Sequence, residues 1–374
     1  MRRPTFIFVV LAVLGLNCAP TATPPPKGGG PGVVTPVAPE VPNLLKDRIE
    51  LALKHVRDRE LETTYGFWTI FHGILGLGPD KMMLVNPETK ERVNALEHIC
   101  KGNTVNGLRF FVTPHGLDVE TATTPGGKIA IFVGQGHQDQ FIAEMVQWGL
   151  PADKTFVVDG KNFKFQDFIN HTKMRASVTQ KQELSWAILV IGEHFGTDHV
   201  WVNERGEKLR FEDVVRYELN EPINEAACGG THRLFGLTWA LHLHRNCGGK
   251  LDGVWKDVAA KLNEHKQNAK SNRNGDGCFS TDYFKGAGDI RDNQLRISTT
   301  GHILEWLSLT MTDSELKQGW VEDAVNALAK TIWESQREGI EGGALYHAAH
   351  GLNMYLDRVY GDPKAKRPYP LPPP

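Results

Sequence analysis

The sequence predicts a mainly α-helical domain, an α/α toroid of about six inner and six outer helices with short β-hairpins inserted between helices. The first observation behind this prediction is a repeated pattern. A small residue followed by a histidine or an aromatic residue begins an apolar run at intervals of roughly 45 or 70 residues. These openings lie near Gly66, His137, Ser185, Thr231, Gly301 and Tyr346. The second observation is that the runs themselves, such as residues 186–191, are apolar on every side, whereas intervening segments such as residues 211–219 are amphipathic. That contrast is expected of an inner and an outer shell of helices.

Histidines recur at these openings. If the inner helices are parallel, His137, His232, His302 and His347 lie at the same end of adjacent helices, at the mouth of the toroid. Imidazole titrates near neutral pH, so we expect His137, His232 and His302 to act as catalytic general acids or bases. A purely structural role at the helix starts remains an open alternative.

A β-hairpin and an outer helix are predicted after the early inner helices. Residues 154–169 and 199–215 share a short strand, a glycine-containing turn, a second strand and a Phe-x-Asp sequence, and residues 84–93 are a degenerate copy. The acidic residue after the phenylalanine suits the first turn of a helix. A longer insertion adds two predicted strands, at residues 108–112 and 128–133.

The amino terminus predicts export. A basic start and the apolar run at residues 6–16 are typical of a secretory signal and too short for a stable membrane span, so residues 1–18 are interpreted as a signal peptide. Cys18 directly follows the apolar run, as in a bacterial lipoprotein signal. Lipidation of Cys18 and ordinary cleavage near Ala19 or Ala22 both remain open. The mature protein is expected to be periplasmic, membrane-anchored or extracellular.

The remaining domain boundaries follow from composition. Residues 19–42 are rich in Pro, Gly and Thr and predict an extended tether, residues 43–361 form the toroid domain, and the Pro-rich residues 362–374 predict a disordered tail. The 42 Lys and Arg nearly cancel the 44 Asp and Glu, which leaves a net charge of -2. This balance argues against nucleic acid as a partner. The expected partner is a small-molecule or polymeric ligand, with membrane contact only through an anchor at Cys18.

Four further cysteines allow several disulfide pairings in an oxidising compartment. They are Cys100, Cys228, Cys247 and Cys278. A helix over residues 231–245 would separate Cys228 from Cys247 by roughly 28 Å, which excludes that pair. A bond between Cys228 and Cys278 remains open.

Two later segments resemble a known superfamily. Residues 262–267, followed by Asn-Gly-Asp-Gly-Cys-Phe-Ser at 274–280, are similar to the Gln…Asp-Gly-x-aromatic repeat of the terpenoid cyclases and the protein prenyltransferase β subunits, which are α/α toroids. In the prenyltransferases an Asp-x-Cys-aromatic-Ser segment and an aromatic-His pair supply zinc ligands. The resemblance therefore implies that Asp276, Cys278 and His347 bind Zn²⁺.

Such a ligand set would leave a fourth coordination position for water or substrate. The alternative is that Asp276 shapes a turn, Cys278 is buried or disulfide-bonded, and His347 packs in the core. Glu183, Asp139 and Glu305 are acidic residues near the helix starts that would pair with the histidines. Two functions follow: an exported enzyme with a histidine-lined, zinc-assisted mouth, or a non-catalytic cell-surface binding or scaffold module. Whether the protein is an enzyme is left open by the sequence.

Overall fold

The computed structural model describes residues 44–123 and 129–373, with the backbone alone for residues 122–123 and 129–133. The predicted signal peptide, the tether and Cys18 lie outside these residues. The described residues are mainly α-helical, as predicted. The helices are α1 (Leu45–Asp58), α2 (Phe67–Leu77), α3 (Ala95–Cys100), α4 (Gln140–Gln147), α5 (Phe165–Arg175), α6 (Ser185–Phe195), α7 (Phe211–Asn220), α8 (Thr231–Asn246), α9 (Gly253–Ser271), α10 (Asn293–Thr310), α11 (Asp313–Leu316), α12 (Gly319–Glu334) and α13 (Gly342–Tyr360). Within this part of the chain, no helix combines the length and the apolar character that a membrane span requires.

The strands are short and mostly paired as hairpins. They are β1 (Leu61–Glu62), β2 (Met83–Val85), β3 (Arg92–Asn94), β4 (Phe110–Thr113), β5 (Gly116–Val119), β6 (Thr121–Thr123), β7 (Ile129–Gly134), β8 (Thr155–Val158), β9 (Lys161–Lys164), β10 (Val200–Val202) and β11 (Lys208–Arg210). Antiparallel pairing joins β2 to β3, β4 to β5, β6 to β7, β8 to β9 and β10 to β11, and β1 lies parallel to β2. The predicted hairpins before α3, α5 and α7 are therefore confirmed.

The acidic residue after each hairpin fixes the start of the next helix. Asp167 accepts a hydrogen bond of 2.7 Å from the Lys164 amide, and Asp213 accepts one of 2.8 Å from the Arg210 amide. Each carboxylate satisfies an amide beside the first turn and lies near the positive end of the helix dipole. The recurring Phe-x-Asp sequence thus marks where the second strand passes into α5 and α7.

Six helices contact one another in a closed order. Helix α2 contacts α4, α4 contacts α6, α6 contacts α8, α8 contacts α10, α10 contacts α13, and α13 returns to α2. Each of these six helices contains or directly follows one of the six openings in the sequence. The intervening α1, α3, α5, α7, α9 and α12 each contact at least one of them. Large side chains of the six helices are fully buried, including Trp239, Trp306 and Tyr346.

Two of the six helices begin earlier than the sequence pattern indicated. Asp292 accepts a 2.7 Å hydrogen bond from the Leu295 amide at the start of α10, so Gly301 lies in the third turn rather than at the beginning. Glu341 accepts bonds of 2.7 and 2.9 Å from the Gly343 and Ala344 amides and starts α13 ahead of Tyr346. Acidic caps therefore set these starts, and the histidines of α10 and α13 lie inside their helices.

The tail differs from the sequence prediction, because its described residues pack on the helices. The Arg367 guanidinium and the Tyr369 hydroxyl donate to the Asp357 carboxylate at 2.5 and 2.7 Å, and the Pro370 carbonyl lies 3.2 Å from His242 Nδ1. Proline lowers the conformational entropy that an unfolded segment loses when it is ordered. A few hydrogen bonds therefore suffice to fix this Pro-rich segment.

Candidate functional site

Five buried histidines meet where the six contacting helices face one another. This histidine cluster consists of His72 on α2, His137 just before α4, His232 on α8, His302 on α10 and His347 on α13. None of the five side chains is more than 7% exposed. Ring centroids lie 4.2 Å apart between His302 and His347, 5.0 Å between His137 and His232, and 5.1 Å between His72 and His347. The fold thus brings together side chains from helices far apart in the sequence.

Hydrogen bonds fix the orientation of four of these rings. The Nδ1 atoms of His72 and His302 each lie 2.7 Å from a carbonyl oxygen one helical turn earlier, which can only accept. The Nδ1 atom of His347 lies 2.8 Å from Glu305 Oε2, and that of His137 lies 3.0 Å from Glu183 Oε2. In a neutral imidazole whose Nδ1 donates, Nε2 carries a free lone pair. His137, His302 and His347 are therefore held in the tautomer that presents Nε2 as a ligand, whereas the Nε2 atom of His72 accepts from Gln140 Nε2 at 3.1 Å.

Ligand atoms from three helices converge in the cluster. Those of His232, His302 and His347 lie within 4.8 Å of one another. Both ring nitrogens of His232 and the Nε2 atom of His302 are buried and have no hydrogen-bond partner among the described residues. A buried polar atom without a partner costs about 1–3 kcal/mol. The unpaired nitrogens are thus costly to bury, and a ligand that pairs with them would offset this cost.

Burial keeps three histidines of the cluster, His72, His232 and His302, neutral. Desolvation lowers the pKa of His72 and His232 well below the ordinary value, and the neighbouring imidazoles lower it further. The pKa of His302 falls to about 3 for the same reasons, although Glu305 partly opposes the shift. Neutral imidazole is the form that binds metal ions. These three rings are therefore neutral near pH 7, which is the form that a metal ion would require.

Two buried glutamates lie against the cluster in different ionisation states. Burial would raise the pKa of Glu305, but His347 and His350, each hydrogen-bonded to one carboxylate oxygen, lower it below the usual range. Burial raises the pKa of Glu144 well above its usual value, and the charge of Glu305 adds to that effect. Glu144 Oε1 accepts from Gln140 Nε2 at 3.0 Å and lies 3.7 Å from His72 Nε2. Glu305 is thus a charged partner behind His347, as is common behind metal-binding histidines.

A strained loop covers one side of the cluster. Cys228, Gly229 and Gly230 all have positive φ, at 47, 63 and 91°, directly before α8. A non-glycine residue in this region costs on the order of 1 kcal/mol or more, and such strain is concentrated at functional sites. The ligand atom of Cys228 lies within 4.8 Å of those of His137 and His232. The strain is consistent with a loop held in place over the histidines.

An open cleft of about 700 Å³ lies beside the cluster, at the amino ends of α4, α6 and α8. Its walls include His137, Glu183, Glu225 and Arg233. His137 is therefore shared between the cleft and the buried cluster. A ligand in the cleft would reach the His137–Glu183 pair first.

The structure separates the three zinc ligands that the sequence resemblance implied. His347 lies in the histidine cluster, but Asp276 forms ion pairs with Arg291 and Arg296, and neither Asp276 nor Cys278 belongs to any group of converging ligand atoms in the described residues. The Cys278 thiol instead hydrogen-bonds Thr300 and Thr331. Residues two apart on a helix project about 200° apart. Thr300 and His302 therefore face opposite sides of α10, which puts Cys278 on the far side from the cluster.

The other predicted residues divide in the same way. His137, His232 and His302 lie together with His347, and Glu183 and Glu305 pair with histidines as expected. Asp139 instead accepts from Thr172 and forms an ion pair with Arg175. All four cysteines of the domain are free, including Cys228 and Cys278. The pairing of those two that the sequence left open is therefore not formed.

Sequence reasoning missed two members of the site, His72 and Glu144. His72 lies within the apolar run of α2 rather than at its start, so the pattern of openings passes over it. Glu144 follows Gln140 by one helical turn on α4, a spacing that puts both side chains on the same helix face. Polar residues one turn apart inside an otherwise apolar helix were the available signal.

Comparison with known protein families and with curated proteins finds no match for this sequence. The geometry of the histidine cluster and its cleft therefore carries the functional argument.

Proposed function

We propose that this protein is an exported α/α-toroid enzyme whose interior binds a divalent zinc ion through His232, His302 and His347 and whose cleft admits the substrate. The observation that carries this proposal is the convergence of three buried imidazoles from three helices, two of which have buried nitrogens without a partner among the described residues. Export is supported by the signal-like sequence at residues 1–18.

The toroid is supported by the closed order of contacts among α2, α4, α6, α8, α10 and α13. Helices of a second set alternate with them along the chain, as the two-shell pattern of the sequence predicts. In such an arrangement the inner helices run parallel, and the cleft lies at their amino ends. The proposed metal site then lies just inside the mouth.

Zinc is favoured by the donor set. Three histidines with an open fourth position are typical of catalytic zinc sites, and structural zinc sites normally have four protein ligands. Glu305 accepts from His347 Nδ1 and would hold that ring in its ligating orientation. Glu144 lies beside the site with one buried oxygen that has no partner among the described residues. Its ionisation would help to balance the charge of a bound cation.

Hydrolysis is the chemistry that this arrangement suits best. His232, His302 and His347 would hold the zinc ion, which would supply a water molecule whose pKa is lowered to about 7. His137 borders the cleft, contacts His232 and is hydrogen-bonded through Nδ1 to Glu183, which holds its ring in place. His137 is therefore placed to take a proton from water and deliver it to the leaving group.

Metal analysis of the purified mature chain tests the metal site. We expect about one zinc per chain in the wild type and a loss of stoichiometric zinc in His302→Ala and in His347→Ala, because each removes one of three ligands. Cys278→Ser is the matched control and should keep its zinc, since Cys278 faces away from the cluster. Zinc loss in Cys278→Ser, or a wild type that does not bind zinc after chelation and reloading, would contradict the proposal.

Hydrolysis of an activated ester such as p-nitrophenyl acetate separates an enzyme from a binding module. We expect zinc-dependent turnover that falls about 100-fold in His137→Ala, in line with the usual contribution of a proton-transfer group. That variant should keep its zinc. A zinc-loaded wild type without turnover would favour the alternative, a non-catalytic binding or scaffold module.

A further inference from the structure

A second cavity lies at the carboxy ends of the inner helices. It has a volume of about 480 Å³ and is bounded by Leu77 at the end of α2, Gln147 at the end of α4, Asn353 on α13 and the tail at residues 366–369. The cleft beside His137 lies at the amino end of α4, so the two openings are at opposite ends of that helix. This second cavity is not part of the proposed substrate cleft.

Gln147 is the strongest indication of a ligand in this cavity. Its side chain is 2% exposed and lines the cavity, and neither its Oε1 nor its Nε2 has a hydrogen-bond partner among the described residues. Buried amides are almost always paired, because an unpaired one loses its hydrogen bonds to water without replacement. A hydroxyl group satisfies both atoms, since it accepts from Nε2 and donates to Oε1.

The charges around the cavity favour an acidic ligand at its rim. The Arg367 guanidinium forms an ion pair with the Asp357 carboxylate, and Lys46 Nζ lies 3.7 Å from Glu50 Oε1. Lys81 and Lys366 also line the cavity, and neither forms an ion pair within the described part of the chain. Their two positive charges are available to a carboxylate.

The helix ends orient such a ligand. The last carbonyls of α2 and α4 carry partial negative charge. At the side of the cavity formed by these helix ends, this charge favours hydroxyl donors and disfavours an anion. Trp148, Met354 and Tyr360 add apolar and aromatic surface for a carbon skeleton. From this geometry we infer that the cavity binds a small hydroxylated carboxylate, with its hydroxyl groups on Gln147 and its carboxylate near Lys81 and Lys366.

Calorimetric titration of the chelator-treated mature chain with D-gluconate, D-glucuronate and L-tartrate tests this inference independently of the metal. We expect saturable binding of at least one of the three and a loss of affinity of about tenfold or more in Gln147→Leu, since two hydrogen bonds are removed. Lys81→Ala combined with Lys366→Ala should weaken binding to a similar degree and leaves the buried amide intact, so it serves if Gln147→Leu does not fold.

Lys330→Ala, on the exposed face of α12, is the control and should bind like the wild type. Absence of saturable binding of all three acids would overturn the inference, as would affinity unchanged in both the Gln147 and the lysine variants. Because zinc is absent from the assay, neither outcome bears on the metal site.

Discussion

Burial gives the histidines of this protein different properties from residue to residue. His302 is neutral and has an unpaired Nε2 inside the cluster, whereas His242 on α8 is neutral and contacts the tail. Burial lowers the pKa of His242 to about 4; the hydrogen bond to the Pro370 carbonyl opposes the shift, and the charges of Arg358 and Lys266 add to it. The same physical cause thus acts on a ring inside the histidine cluster in one case and on a ring that the tail contacts in the other.

The lowered pKa of His242 predicts a contribution to stability that is lost in acid. Its folded pKa of about 4 lies below its ordinary value of about 6.5, so the unfolded chain takes up a proton first as the pH falls. Its contribution is complete above about pH 6.5 and is lost progressively as the pH falls towards 4. In His242→Leu the free energy of unfolding should depend less steeply on pH in this window, by up to on the order of 1 kcal/mol per pH unit. Urea unfolding of both chains at pH 7, 6 and 5 measures the two slopes, and equal slopes would show the prediction to be wrong.

At the scale of helices, glycines let α10 and α13 approach closely. A Cβ added to Gly301 on α10 would lie 2.8 Å from the Ala348 Cα on α13, and one added to Gly351 would lie 2.9 Å from the Glu305 amide nitrogen. This approach brings Glu305 within hydrogen-bond distance of both His347 and His350. The small residue at position 301 is therefore required by helix packing, whereas Gly66 and Gly230 of the same pattern directly precede α2 and α8.

Gly301→Ala should separate α10 from α13 and disturb the proposed metal site. We expect a loss of about 1–3 kcal/mol in the free energy of unfolding, as is usual for overpacking. Zinc affinity should fall as well, because His302 and His347 lie on the two displaced helices. Gly319→Ala is the control, since a Cβ there meets nothing within 4 Å. Thermal unfolding and zinc titration measure both effects, and a Gly301→Ala chain with wild-type zinc affinity would contradict the link between packing and site.

At the scale of the whole domain, closure of the helix order depends on contacts between distant parts of the chain. Helix α2, near the start of the described residues, packs on α13, near their end, and the Trp68 indole donates to Glu341 at 2.7 Å. The tail then packs beyond α13, through Asp357 and His242. The tail forms a wall of the second cavity and is absent from the histidine cluster.

Deletion of residues 363–374 should therefore impair ligand binding in the second cavity and leave the histidine cluster unaffected. We expect a fall in melting temperature on the order of 5 °C from the lost hydrogen bonds and packing, and loss of hydroxy-acid binding because part of the cavity wall is removed. Zinc binding should be unchanged. Calorimetry for both ligands on the truncated chain measures this, and a truncated chain that no longer binds zinc would contradict the assignment of the tail to the second cavity alone.

The sequence alone determined the features that depend on local periodicity. The mainly helical class and the hairpins before α5 and α7 follow from patterns a few residues long, because each element is set by its own spacing of apolar and polar residues. The recurrence of histidines in or beside the apolar helices was visible for the same reason.

Only the tertiary structure decided which of those residues meet. The rotation of α10 places His302 in the cluster and Thr300 beside Cys278, so the ligand set that the motif implied is divided between two sides of one helix. His72 joins the cluster through the packing of α2 on α13. These contacts depend on the rotation of each helix and on how closely distant segments approach one another. Both are set by packing across the whole domain, so a short segment of sequence does not predict them.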